Sequence, residues 1–108
     1  MNSTFVPLAV THPSVATATW TKVSAVDGKQ RKYLKVSNES QSVVWRVCRV
    51  PAGAAAPTAA GDGEPLNYGA SGNHGEVIEE TLVLSRSDVY AYQASGGPLT
   101  TLAVTEGR

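Results

Sequence analysis

Charge, sulfur and long apolar runs are all scarce in this chain of 108 residues. A single cysteine, Cys48, rules out an internal disulfide framework. Its apolar and basic surroundings favour a small packed side chain over a nucleophile, which would need a His or Asp partner close by. Charged residues make up only 17% of the chain, against about 25% in ordinary soluble domains. The formal net charge is zero, which argues against a nucleic-acid partner, because phosphate binding needs clustered Lys and Arg. No stretch approaches the roughly 20 apolar residues of a membrane-spanning helix. Residues 1–10 lack the basic start and apolar centre of a secretory signal, so a soluble protein made in the cytoplasm is expected. The Asn-x-Ser/Thr triplets at Asn2 and Asn38 carry little meaning without such a signal.

What is present is alternation of period two. No window shows a capped repeat of 3.6, so the sequence predicts an all-β domain. Thr17, Thr19 and Thr21 alternate with Ala16, Ala18 and Trp20 after an irregular start, read as an N-terminal arm over 1–14. Residues 20–25 and 31–38 are expected to pair as a hairpin across Asp27-Gly28. Leu34 and Val36 then face the core, Lys32 and Lys35 face solvent, and Tyr33 is half covered. A polar turn over 38–42 leads into Val43–Val50, the most strand-like run. Val43, Trp45 and Val47 share its inward face, while Val44, Arg46, Cys48 and Val50 share an opposite face apolar enough to want a covering neighbour.

Residues 51–75 are Ala, Gly or Pro at 16 of 25 positions, which predicts a long loop, either disordered or laid along a partner. Alternation resumes over 77–84, with Ile78, Leu82 and Leu84 on one face and Glu79 and Thr81 on the other. Glu80 falls on the apolar face, at the sheet rim or paired with Arg46. Residues 89–94 and 99–105 are expected to form a last hairpin around Ser95-Gly96-Gly97-Pro98. Seven or eight strands with closely spaced turns predict one antiparallel β-sandwich, jelly-roll-like, over 1–108.

Charge is distributed unevenly along the chain. Residues 1–50 hold seven basic and two acidic side chains, and 51–108 hold two basic and seven acidic. Pairing within one fold is the simpler reading; a basic face meeting the acidic face of the next copy in a ring is the alternative. A domain this small buries only about two thirds of its unfolded surface, and oligomerisation is the ordinary way to add to that.

No chemistry emerges from the residue types. The two histidines, His12 and His74, lie outside any catalytic pattern. On a strand Glu76 and Glu80 point one way and Glu79 the other, so a metal site with His74 cannot converge without a bulge. The run Gly61-Asp62-Gly63-Glu64 has the colouring of a calcium loop but lacks further oxygen ligands. Tyr68, Tyr90 or Tyr92 could face a sugar, provided that they are not needed for the core. No catalytic, cofactor-binding or metal-binding residue is predicted, and no enzyme.

The order of elements resembles small structural proteins of tailed bacteriophages. Trp20-Thr21-Lys22-Val23 opens the pattern, and a basic strand ending in Asn-x-Ser follows (31–40). A Val-rich strand, a Gly/Ala/Pro loop, Val89-Tyr90-Ala91 and the closing run 102–107 complete it. The resemblance covers residues 20–107. It implies a β-sandwich virion component, a head decoration or cement protein on the outside of the capsid or a tail, neck or fibre protein. It also implies the major capsid protein or another virion protein as partner, and a homo-oligomer. The long loop departs from the most compact examples. A receptor- or carbohydrate-binding β-module is the rival class.

Overall fold

A computed structural model describes residues 9–24, 33–51, 53–69, 75–81, 87–94 and 101–107. Eight strands form among them: β1 (Ala9–Thr11), β2 (Thr21–Ser24), β3 (Tyr33–Asn38), β4 (Trp45–Pro51), β5 (Glu64–Leu66), β6 (Val77–Thr81), β7 (Ser87–Tyr92) and β8 (Leu102–Gly107). They make two four-stranded sheets, a first in the order β1-β8-β3-β6 and a second in the order β2-β7-β4-β5. Every pairing is antiparallel. First strand pairs with last, second with seventh, third with sixth and fourth with fifth, the result of rolling up one long antiparallel hairpin. This is the jelly-roll arrangement of an all-β sandwich.

The core follows from the alternation. Val36 and Val104 are register partners in the first sheet, and Val47 and Ala91 in the second. With Leu34, Trp45, Val89 and Leu102 they form one buried cluster. Trp45 is fully buried on an interior strand, as its sequence neighbours predict. Its indole Nε1–H donates to Thr101 Oγ1 at 3.2 Å, so the large ring is buried without stranding its polar atom.

Both expected hairpins are corrected. β2 and β3 belong to different sheets, and so do β7 and β8. The Asp27-Gly28 and 95–98 turns themselves lie outside the described residues. A short connection between two strands serves equally well for ladder partners or for strands facing across the sandwich. Here the strands of both expected hairpins find their ladder partners elsewhere along the chain, β2 with β7 and β8 with β1 and β3. β4 and β5 are the consecutive strands that do share a ladder.

Two irregular regions also contain structure. β1 lies within the expected arm 1–14, and β5 within the expected loop 51–75. Conversely, the Thr/Ala alternation of 16–20 is a turn: Thr19 N–H donates to Ala16 C=O, and Ala18 has φ 52° with its N–H on Gln93 C=O at 2.8 Å. Alternation over small residues supplies no buried face to hold an extended strand.

One end of the sandwich is tied by Asn38, which is completely buried. Its side-chain Nδ2 donates to Val43 C=O and Leu66 C=O, both at 2.8 Å, and its Oδ1 accepts from Ser40 N–H. One amide thereby joins the end of β3 to the approach of β4 and the end of β5 in the other sheet. The triplet around Asn38 is therefore a structural joint, its amide committed inside the protein.

Candidate functional site

The outer face of the second sheet carries the richest polar arrangement in the described structure. Alternation on β4 turns Arg46 and Cys48 away from the core, and the register sets them beside Tyr92 and Tyr90 of β7. Lys22 of β2 stands next to Tyr90. Over this face runs the segment 53–63 that connects β4 to β5.

Side-chain anchors hold the strap. The Arg46 guanidinium donates through Nε to Asp62 C=O at 3.1 Å and through Nη2 to Gly61 C=O at 2.9 Å and Gly63 C=O at 3.0 Å. Trp20 Nε1–H donates to Ala59 C=O at 2.9 Å, and the Trp20 ring packs on Tyr92 with centroids 5.2 Å apart. At the near end the buried Asp88 carboxylate accepts from Gly53 N–H at 2.9 Å. Lys22 Nζ lies 3.5 Å from the same carboxylate and 5.7 Å from the centre of the Tyr90 ring.

The strap returns to the sheet at Gly63, which has φ 73°. A Cβ there would stand 2.3 Å from Val47 O and 2.9 Å from Cys48 Cβ. Only glycine fits both the left-handed backbone and the contact.

These contacts answer several sequence expectations. The neighbour expected over the outer face of β4 is the chain's own loop. The calcium-coloured run offers three carbonyl oxygens, and a guanidinium takes them; the Asp62 carboxylate accepts from Ala59 N–H instead. Arg46, considered as a partner for Glu80, is bound to the strap, while Glu80 pairs in register with Leu34 in the other sheet. Cys48 is half-buried under Gly63. Burial first, and then the Asp62 charge, push its thiol up against the opposing pull of Arg49, so the thiol stays protonated at neutral pH and is a poor nucleophile.

The other candidates are dispersed. His12 Nε2 lies 2.9 Å from Glu39 Oε1 on the surface, and His74 is outside the described residues. Glu76 accepts from Asn67 N–H, while Glu79 accepts from the Tyr33 hydroxyl. No group of three or more His, Cys, Asp and Glu among the described residues could hold a metal ion. No helix of the described residues is long and apolar enough to cross a membrane.

The aromatic side chains are largely in use: Tyr90 is buried, and Tyr92 and Trp20 support each other and the strap. Tyr68 is the exception among the described aromatic residues, 50% exposed.

The charge asymmetry of the two halves is met inside the fold. Arg49 binds Glu64 at 2.9 Å, Lys22 meets Asp88, and Lys35 is the register partner of Glu79. Sequence reading missed the role of Arg46. The available signal was an arginine on the outward face of a strand that leads into a loop of Gly and Ala, whose side chains leave backbone carbonyls uncovered.

Beside the strap, Val43, Val44, Ala60, Tyr92 and Ala94, with Ser42 and Arg46, line a hollow of about 360 Å³. Val44 is 40% exposed at its mouth. No protein-family model matches the chain, nor does any curated protein or solved structure.

Proposed function

We propose that this chain is a structural protein of a bacteriophage particle, foremost a head decoration or cement protein that binds the outside of the capsid and stabilises it. A tail, neck or fibre position is the second reading. The observation that carries the proposal is an outer sheet face clothed in a strap of small side chains. Ala55, Ala56, Thr58, Ala59 and Ala60 are all exposed along it. Such a surface can lie against a protein neighbour with little cost from desolvating ions.

The fold supports the reading by analogy, since jelly-roll sandwiches serve viral capsids as well as lectins and cupins. Against a sugar-binding module stands the use of Trp20, Tyr90 and Tyr92 to hold the strap and the sheet. No enzymatic role is part of this proposal. Many copies on one lattice would make weak single contacts add up, because each forms at high effective concentration. The partner is the major capsid protein or another virion protein, and copies of the chain associate with one another.

The test is to mix purified protein with particles that lack it, then measure saturating stoichiometry and the temperature at which the shell opens. A fixed ratio to shell subunits with a raised opening temperature is the expected result. Binding only at the tail would assign the second reading, and binding only to the host cell surface would reject a shell role.

A further inference from the structure

We propose that the hollow beside the strap seats an acidic side chain of the partner protein, its carboxylate on Arg46 and flanking apolar groups against Val44, Ala60, Tyr92 and Ala94. The inference rests on the reading that this chain works by binding another protein, and names the chemistry of the contact.

Three observations lead to it. Arg46 lines the hollow, and its Nε and Nη2 bonds all go to carbonyl oxygens. Among the described residues no carboxylate lies within ion-pair distance of it, in contrast to Lys22 and Arg49, which have Asp88 and Glu64. Its charge is thus oriented without being neutralised by an anion, and Nη1 keeps its donors. An arginine held in this way is preorganised for a carboxylate, because the rotamer freedom is already spent on the strap. Apart from Ser42 the remaining wall is apolar, formed by Val43, Val44, Ala60, Ala94 and the Tyr92 ring, and Val44 leaves 40% of its surface open to solvent. A purely apolar occupant would leave the guanidinium charge without an anion. A small inorganic anion would leave the apolar wall wet. An acidic residue beside an aliphatic one satisfies both.

The probe is a blocked Leu-Glu-Leu tripeptide, compared with Leu-Gln-Leu, and binding is followed by backbone amide chemical shifts. The Glu peptide is expected to shift the amides of Val44, Ala60, Tyr92 and Ala94, and to bind about fivefold or more tightly than the Gln peptide. Ala60→Phe, which fills the hollow from an exposed position and leaves the Arg46 anchors in place, should abolish binding with an unchanged melting temperature. Arg46→Gln should bring the two peptides to equal affinity. Equal binding of the two peptides by the unaltered protein, shifts confined to another face, or unimpaired binding by Ala60→Phe would each overturn the proposal.

Attachment of the same variant to particles separates this inference from the one beneath it. If the unaltered protein ignores particles but binds the Glu peptide in the hollow, the shell reading fails and the acidic-anchor site stands. If particles are decorated equally by the unaltered protein and Ala60→Phe, the hollow is not the shell contact and the inference fails alone.

Discussion

The two coverings of the second sheet are built on opposite principles. Its inner face meets the first sheet through Trp45, Val47, Val89 and Ala91, all essentially without solvent exposure. Its outer face meets the strap 53–63 through one guanidinium, one indole N–H and one carboxylate. The same strand, β4, serves both, sending alternate side chains each way. Apolar contact between sheets is non-directional and proportional to area, so it is shared by many residues and holds the whole fold. The strap depends on a few directional bonds at defined atoms, so it can be detached without the sandwich coming apart.

The sharpest way to break that comparison is Trp45→Ala. Removing the largest buried side chain should cost about 3–5 kcal/mol, a large part of the 5–15 kcal/mol that holds a typical domain folded. Denaturant unfolding should show a midpoint shift to match; a variant that melts like the parent would mean that the sheets are held together by something other than their apolar interior.

Asn38→Ala should come next, at about 2–4 kcal/mol, because it leaves the carbonyls of Val43 and Leu66 and the N–H of Ser40 without the partner they have in the buried joint. Asn38→Asp, which keeps the acceptor but loses both donors, should be no better. A melt of Asn38→Asp close to that of the parent would show that the Ser40 bond alone secures this end.

Arg46→Ala sharpens the contrast from the other side. Global stability should fall by about 1 kcal/mol or less, as expected for partly exposed bonds. The amides of Ala59 and Asp62, hydrogen-bonded within the strap, should lose hydrogen-exchange protection while those of β4 and β7 keep it. Loss of protection in the strap and the sheet together would show that the two coverings form one cooperative unit.

The smallest effect belongs to the exterior of the first sheet. The hydrogen bond from the Tyr33 hydroxyl to Glu79, together with burial and the carboxylate charge, pushes the phenol up from 10 to about 12. The folded state therefore holds this proton more tightly than the unfolded chain. Its stabilising contribution is complete below pH 10 and is lost as pH rises through about 12. Phenolate absorbance should show one tyrosine titrating in that window, and Tyr33→Phe should remove it. A titration left unchanged in that window by Tyr33→Phe would contradict the contact.

Legibility in the sequence tracked how local each cause was. Leu34, Val36, Trp45 and Val47 could be placed inward from alternation alone, since a strand sends successive side chains to opposite sides wherever it pairs. Asn38 looked like part of a polar turn; it is the last residue of β3, and nothing local shows that its amide reaches Leu66 in another strand. Residues 51–75 read as one loop because Ala, Gly and Pro have weak strand preference. Within them Glu64–Leu66 is extended because β4 supplies a ladder and the core accepts Leu66.

By itself the sequence determined the fold class, the inward residues of the central strands and the absence of a disulfide frame, because these depend on side-chain type and on a repeat of two. Only the tertiary structure decided which strands share a sheet, that the Ala/Gly-rich segment folds back as a strap, and that Arg46 lies at the rim of a hollow without an acidic partner among the described residues. Those outcomes rest on contacts between residues distant in the chain. A turn dipeptide such as Asp27-Gly28 can reverse the chain, but whether the next strand pairs beside the last or faces it across the core is settled by burial of both apolar faces at once.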